Sequence, residues 1–229
     1  MRAFSPSLLF LFTTFLRSSI PRLNCLAVTP EASVLSIYND LYRTTPTWEI
    51  GRPQQKIVDL VGEGTFQGSV LEVGSGTGEN LLHIATHRPN QVMLGVDTAP
   101  LAISRARSKA LERGLKVHFE VFNALNLDQL NKRFNNVVDV GLYQVLNSYE
   151  RQILVEKLPF VLAPGGTYHM LSGLRLDMGT YGICQVDQQM VQDAFSVGWV
   201  VQELAPATFE TVGDQQTTDG LYLRATVTG

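Results

Sequence analysis

The run Val70-Leu71-Glu72-Val73-Gly74-Ser75-Gly76-Thr77-Gly78-Glu79-Asn80, followed about twenty positions on by Leu94-Gly95-Val96-Asp97, constrains the fold of this chain more than any other feature. Val70, Leu71 and Val73 suit a buried parallel strand. Glycines at 74, 76 and 78 let the backbone turn sharply and admit a ligand where a Cβ would stand in the way. Asp97 ends the next apolar run, where a carboxylate costs solvation unless something takes up its charge; paired ribose hydroxyls do so. The two segments read as the strand, turn and helix of a nucleoside site.

The spacing of the loop separates two classes of ligand. A dinucleotide fingerprint is GxGxxG, with its diphosphate on the amides of a helix N-terminus. Here the pattern is Glu72-x-Gly74-x-Gly76-x-Gly78. A carboxylate two residues before the first glycine is expected to repel a diphosphate and tolerate a cationic amino-acid group. S-adenosylmethionine fits this better than NAD, and an NAD-dependent oxidoreductase is the alternative that a cofactor titration decides. His83 and His87, four apart on one helix, have no third ligand in sight, so no metal is expected.

Around that motif, apolar runs and helical periods alternate along the chain. Helices are expected over 31–43, 53–61, 78–87, 99–113, 149–161 and 187–195. Strands are expected over 68–73, 92–97, 116–121, 136–141, 167–171 and 199–203, with 220–227 alternating Leu221, Leu223 and Ala225 as a hairpin strand does. The fold class is α/β: one Rossmann-like, doubly wound, mostly parallel sheet with an antiparallel C-terminal edge strand.

Residues 31–229 make one domain of ordinary size, and the first thirty differ in kind. Those thirty carry Arg2, Arg17 and Arg22, no acidic residue, and the apolar stretch 8–16, which is too short to span a bilayer. They read as a targeting leader, the Ser- and Arg-containing tail to Ala27 favouring a plastid or mitochondrion over the secretory pathway. With 18 basic against 21 acidic residues and a net charge of −3, nothing draws the chain to a polyanion, so nucleic acid is not expected as a partner. Cys25 and Cys184 make no disulfide framework. The mature domain is expected to be a monomer without a membrane span, working on a small molecule.

From the glycine loop onward the chain resembles the class I S-adenosylmethionine-dependent methyltransferases, and within them the thiopurine-methyltransferase-like small-molecule group. The likeness extends over nearly everything after about residue 35. Pro46-Thr47-Trp48-Glu49-Ile50-Gly51-Arg52-Pro53-Gln54 is similar to the loop that closes over the cofactor in that group, and is more specific than the glycines. Residues 134–143 look like its fourth strand and the start of its active-site loop, and Leu162-Ala163-Pro164-Gly165-Gly166-Thr167 like the turn before its fifth. The resemblance implies methyl transfer from S-adenosylmethionine to a thiol, another sulfur or nitrogen heteroatom, or a halide.

On this reading the cofactor is held by Trp48, Gly51, Glu72, Gly74, Ser75, Gly76, Gly78, Asp97, Thr98, Ala99, Asn123 and Ala124. Trp48 offers an aromatic face to the sulfonium, a cation–π contact worth about 0.5–2 kcal/mol. The family usually has aspartate where Asn123 stands; the Asn123 carbonyl can still accept from the adenine amino group. Tyr143 and Gln144, just past the fourth strand, are expected to position the acceptor, with Trp48 and Tyr181 lining its pocket. Related sequences often carry histidine where Gln144 stands, and glutamine is no base. Asp139 is then the candidate base, with His169 as a less favoured one. A further alternative is a methyltransferase-like binding protein without activity, prompted by the Asn123, Asn135 and Gln144 replacements.

Overall fold

The computed structural model describes residues 32–177, 183–212 and 217–228. Within them a seven-stranded sheet has the order β3-β2-β1-β4-β5-β9-β8. Its parallel strands are β1 (Val70–Val73), β2 (Met93–Asp97), β3 (His118–Val121), β4 (Phe134–Val140) and β5 (Leu162–Gly173). Strand β9 (Thr217–Val227) runs antiparallel to β5, and β8 (Trp199–Glu210) pairs antiparallel to β9 at that margin of the sheet. The leader, and Tyr181 with it, lie outside the described residues.

Strand β1 shows why the sheet is covered on both faces. All four of its residues are buried; Leu71 and Val73 enter the core beneath one layer of helices, whereas Val70 enters the other core. Strand β9 does the same, with Leu221, Leu223 and Ala225 on one side and Tyr222 on the other. The period of two read in the sequence is therefore the packing rule of the sheet. Helices α2 (Gln55–Gly62), α3 (Glu79–His87) and α4 (Pro100–Glu112) cover the face with Ile57, Leu81 and Ile103. The four-residue α5 (Leu142–Val145), α6 (Ser148–Val161) and α7 (Gln188–Ala194) lie against the other, where Leu154, Leu158 and Val191 pack.

The strands are longer toward the C-terminus than their sequence signals. Strand β5 begins at Leu162 because Leu162 pairs with Phe134 before the Pro164-Gly165 turn, and pairing resumes at Thr167 opposite Asn136. Strand β8 continues past Glu203 to Glu210, with a register shift between Val201 and Glu203 that interrupts its alternation. Periodicity stops where a bulge begins. A small hairpin, β6 (Arg175–Asp177) with β7 (Ile183–Gln185), and a 3-10 turn over Ala124–Gln129 had no separate sequence signal.

The order of the sheet reverses between β1 and β4, and ligands in open α/β sheets bind at that crevice, outside the carboxyl ends of the strands. Register places Val73 beside both Val96 and Asp139, so the loops after β1, β2 and β4 emerge together. Helix α1 (Ala32–Leu41) lies over this opening, with Ile37, Tyr38 and Leu41 packed on Trp48, Leu142 and Val145. Among the described residues no helix is long and apolar enough to cross a membrane.

Gly78 is the tightest point of the loop. It has φ +86, and a Cβ there would stand 2.6 Å from Phe119 and 3.2 Å from Ala106. Gly78→Ala is expected to cost about 1–3 kcal/mol by overpacking alone, and more through its backbone angle. A lowered urea midpoint with an unchanged slope checks this.

Candidate active site

A cavity of about 440 Å³ opens at the crevice. Its floor is the glycine loop. Gly74 and Gly76 both have positive φ, and a Cβ on them would stand 2.8 Å from Leu142 and from the Tyr42 hydroxyl respectively. Asp97 Oδ2 accepts from the Gly76 amide at 2.9 Å and Oδ1 from the Ala99 amide at 2.8 Å. Burial pushes the Asp97 carboxyl above its ordinary range against the pull of those amides. Asp97 lines the cavity, where a carboxylate can accept from two ribose hydroxyls.

The opposite wall is the strap that joins α1 to α2. Trp48 Nε1 donates to the Tyr42 hydroxyl at 3.1 Å, the two rings meeting edge to face. Glu49 enters the cavity and accepts from Thr77 Oγ at 2.6 Å; that hydroxyl in turn accepts from Lys109 Nζ at 2.6 Å. Lys109 also pairs with Glu79 at 2.8 Å, and Arg113 clamps Glu79 with two bonds of 2.9 and 3.0 Å. Burial alone raises the Glu79 carboxyl, but these two cations bring it below its usual range.

The far end of the strap is fastened to β8. The Gln54 amide exchanges two 2.8 Å hydrogen bonds with the backbone of Glu210, whose carboxylate binds the Arg52 guanidinium at 2.8 Å and the Gln55 amide at 2.7 Å. The hydrogen bond from Arg52 holds the Glu210 carboxyl below its usual value.

The structure gathers most of the sequence-named residues on this cavity: Trp48, Gly74, Ser75, Gly76, Gly78, Asp97, Thr98, Asn123, Ala124 and Gln144 all line it. Five others do not. Gly51 is exposed on the outer side of the strap. Ala99 is fully buried against Tyr42 and Ala102 and contributes only its amide to Asp97. Glu72 is 1% exposed and points to the α3 side, where Oε1 accepts from Asn80 Nδ2 at 3.1 Å and Oε2 has no hydrogen-bond partner. It reaches the cavity only through Asn80, so it does not repel a phosphate directly. Asp139 is completely buried, its Oδ1 accepting from the Leu142 and Tyr143 amides and its Oδ2 from the Tyr168 hydroxyl at 2.8 Å. It caps α5. Tyr143 belongs to the core beside Phe195.

Two further readings change in detail. Asn123 Oδ1, expected on the adenine amino group, accepts from the Leu125 amide at 2.9 Å and caps the 3-10 turn; its Nδ2 is left to donate. His169 is buried between Phe66 and Tyr222, with Nδ1 2.9 Å from the Tyr222 hydroxyl, and burial depresses it to about 3. It does not line the cavity.

Sequence reasoning passed over Tyr38, Tyr42, Asn80 and Phe209, all on the cavity wall, and Arg151 behind it. Arg151 is 6% exposed and has no carboxylate partner among the described residues; its guanidinium donates to the carbonyls of Tyr143 at 2.9 Å, Gln144 at 3.0 Å and Gln185 at 3.1 Å. Its signal was an arginine in register with the buried stripe of Leu154, Val155, Leu158 and Val161 on α6.

This is a nucleoside-binding α/β protein whose cavity sets two carboxylates, Asp97 and Glu49, beside an aromatic face, with Lys109 shared between Glu79 at 2.8 Å and Glu49 at 3.9 Å. Such a donor set fits a nucleoside bearing a sulfonium and an ammonium better than one bearing a diphosphate. Comparison with known proteins agrees. Residues 70–166 match the model of the methyltransferase domain family. Over 175 residues the chain is 30% identical to 2-heptyl-1-hydroxyquinolin-4(1H)-one methyltransferase of Mycobacteroides abscessus, covering 74% of this chain and 75% of that protein. A structure from a study of the conversion of a disulfide bond into a thioacetal group during echinomycin biosynthesis superposes with a TM-score of 0.74 at 28% identity, over 83% of this chain and 91% of that one. The N-methyltransferase NodS from Bradyrhizobium japonicum, in complex with S-adenosyl-L-homocysteine, shares the fold at a TM-score of 0.66 and 16% identity, over 87% of this chain and all of that one. The chain belongs to the S-adenosylmethionine-dependent methyltransferases. The dehydrogenase and inactive-protein readings are set aside.

Buried Glu72 makes stability depend on pH. Burial raises its carboxyl to about 8, against the hydrogen bond from Asn80. Between its unfolded value near 4.3 and about 8 the folded chain holds a proton that the unfolded chain releases, so this group lowers stability as pH rises through that window. Glu72→Gln keeps the oxygen facing Asn80 and has no proton to lose. Denaturation at pH 5.5 and 8.5 is expected to show a smaller drop for the variant than for the parent.

Proposed function

We propose that this methyltransferase acts on a small heteroaromatic or sulfur-containing acceptor, methylating a heteroatom by in-line displacement. The observation that carries the reading is the mixed cavity: charge at Asp97 and Glu49, then apolar walls of Val140, Leu142, Val145 and Phe209 beneath the Trp48 strap. The hydroxyquinolone acceptor in the name of the Mycobacteroides abscessus relative, and the sulfur chemistry attached to the echinomycin-pathway structure, support acceptors of this size and type. The strap sequence supports a place near the thiopurine-methyltransferase-like group.

Bound S-adenosylmethionine supplies the activated methyl group. Asp97 holds the ribose, with Asn123 Nδ2 and Ala124 beside the adenine. Trp48 and Glu49 face the cationic end, and the Gln54–Glu210 fastening keeps the strap shut against water. Alignment and water exclusion together are worth about 7–11 kcal/mol, enough for a soft nucleophile without further help.

Asp97→Ala is expected to weaken S-adenosylmethionine binding at least tenfold in calorimetric titration while leaving the fold intact. Aryl thiols, N-hydroxy heteroaromatics and nitrogen heterocycles are then incubated with the parent enzyme and S-adenosylmethionine, with methylated product read by mass spectrometry. Tight cofactor binding with no product from any of them overturns the acceptor proposal. The reading of residues 1–30 as an organellar leader is likewise a proposal, checked by where a fluorescent fusion of that segment localises.

A further inference from the structure

We infer that Gln144 receives the acceptor as an anion, its amide N–H donating to the charged heteroatom or to an atom conjugated with it, so that the enzyme selects small aryl thiols and N-hydroxy heteroaromatics that enter already ionised. The inference rests on the methyl-transfer reading above and names its substrate class.

Gln144 is 2% exposed and lines the cavity from α5, just beyond Gly141 at the carboxyl end of β4. Its Oε1 is taken by the Gly173 amide at the end of β5. A carbonyl fixed in this way fixes the amide, and its Nε2 has no acceptor among the described residues. Around it the fold removes side chains: a Cβ on Gly173 would stand 3.0 Å from Gln144 Oε1 and 3.5 Å from Phe209, and one on Gly141 3.2 Å from Phe209 and 3.6 Å from Gln144 Nε2. The free N–H faces the cavity, where a bound acceptor atom can take it.

Each carboxylate on the elements packed here already holds a hydrogen-bond partner, Asp187 at the start of α7 accepting from the Met190 amide at 2.7 Å. On β4, Asp139 is consumed in capping α5. On β5, His169 is buried on Tyr222 off the cavity. On β8, Glu210 binds Arg52, and β9 presents Thr218. From α1 and the strap come the hydroxyls of Tyr38 and Tyr42 and the Glu49 carboxylate already bonded to Thr77. From the α6 end, Glu150 accepts from the Asn147 amide in the capping box. Behind Gln144 stands the buried Arg151 guanidinium, bonded to the Tyr143 and Gln144 carbonyls and within electrostatic range of the Asp187 and Glu150 carboxylates. An unpartnered N–H with a cation behind it, among carboxylates that are already hydrogen-bonded, suits an anion better than a neutral acid.

The step balances without a base. A lone pair of the anionic heteroatom forms the bond to the methyl carbon, the carbon–sulfur bond breaks with its pair remaining on sulfur, and an anion and a cation become two neutral products.

The test uses the full chain, ring-substituted thiophenols whose pKa values run from below to above neutrality, and two readouts. In the complex with S-adenosylhomocysteine, the thiophenolate absorbance band is expected to grow on binding at a pH where the free thiol is mostly protonated. Gln144→Glu keeps the oxygen on Gly173 and replaces the donor by a charge; it is expected to weaken that binding tenfold or more while leaving S-adenosylhomocysteine affinity within twofold. In turnover, the pH at which kcat/KM levels off is expected to move with each thiol's own pKa. Binding of the neutral thiol, equal binding by the variant, or a pH midpoint fixed across the series overturns the inference even if methyl product forms. Anion binding without methyl product instead overturns the acceptor reading and leaves the anion site standing.

Discussion

The Asp97 carboxylate is the junction on which the site depends. It lies half-buried at the end of β2, and one backbone N–H on each of its oxygens ties the glycine loop after β1 to the turn before α4. Hydrogen bonds to a charged group contribute about 1.5–3 kcal/mol each, so these bonds fix the loop before any ligand arrives. The same bonds hold the carboxylate at the cavity wall. The positive φ of Gly74, Gly76 and Gly78 follows from this, because a loop held so close beneath Leu142, Tyr42 and Phe119 has no space for a Cβ. Preorganisation of this kind places the entropy of loop ordering in folding, not in binding.

The strap is built on the opposite principle. Little of it is buried in the core, yet it is fastened at three separated points: Trp48 on Tyr42, Glu49 on Thr77, and Gln54 with Arg52 on Glu210. Each is polar and partly exposed, and exposed ion pairs contribute about 0–1 kcal/mol. A lid held by several weak polar contacts opens at lower cost than the loop beneath it, which suits a segment that must admit both cofactor and acceptor.

How far the site could be read from the sequence follows from how local each cause is. Asp97, the glycines and Trp48 belong to short segments whose spacing is their geometry, and they appear on the cavity wall as expected. Tyr143 and Gln144 were read as a pair, but adjacent residues on a helix point about 100° apart, and the structure sends one into the core and the other to the cavity. Asp139 precedes Leu142 by three residues, the spacing of a side chain that caps a helix, which was legible had a four-residue helix been expected there. Glu72 shares its face of β1 with Val70, so strand alternation already placed it opposite the core that holds Leu71 and Val73. What no local pattern carries is the long-range fastening of Gln54 to Glu210, because β8 continues past a bulge that hides its length.

The cavity is electrically asymmetric, and that asymmetry links the cofactor end to the acceptor end. Asp97 and Glu49 make one end acidic, whereas behind Gln144 at the other stands the buried guanidinium of Arg151, with Asp187 and Glu150 in electrostatic range. Burial lowers the affinity of Arg151 for its proton against the pull of Asp187 and Glu150, yet an arginine stays charged in a protein, and three backbone carbonyls with the Met190 sulfur hold it. Removing a buried charge from water is expensive, so the fold retains it against a cost that an apolar residue on α6 would avoid. Its position accounts for that: the same guanidinium ties Tyr143 and Gln144 to Gln185 at the end of β7 and adds positive potential behind the Gln144 amide. On the proposed acceptor reading, a cationic methyl donor at the acidic end and an electron-rich acceptor at the other would be aligned along one axis, the geometry that displacement at carbon requires.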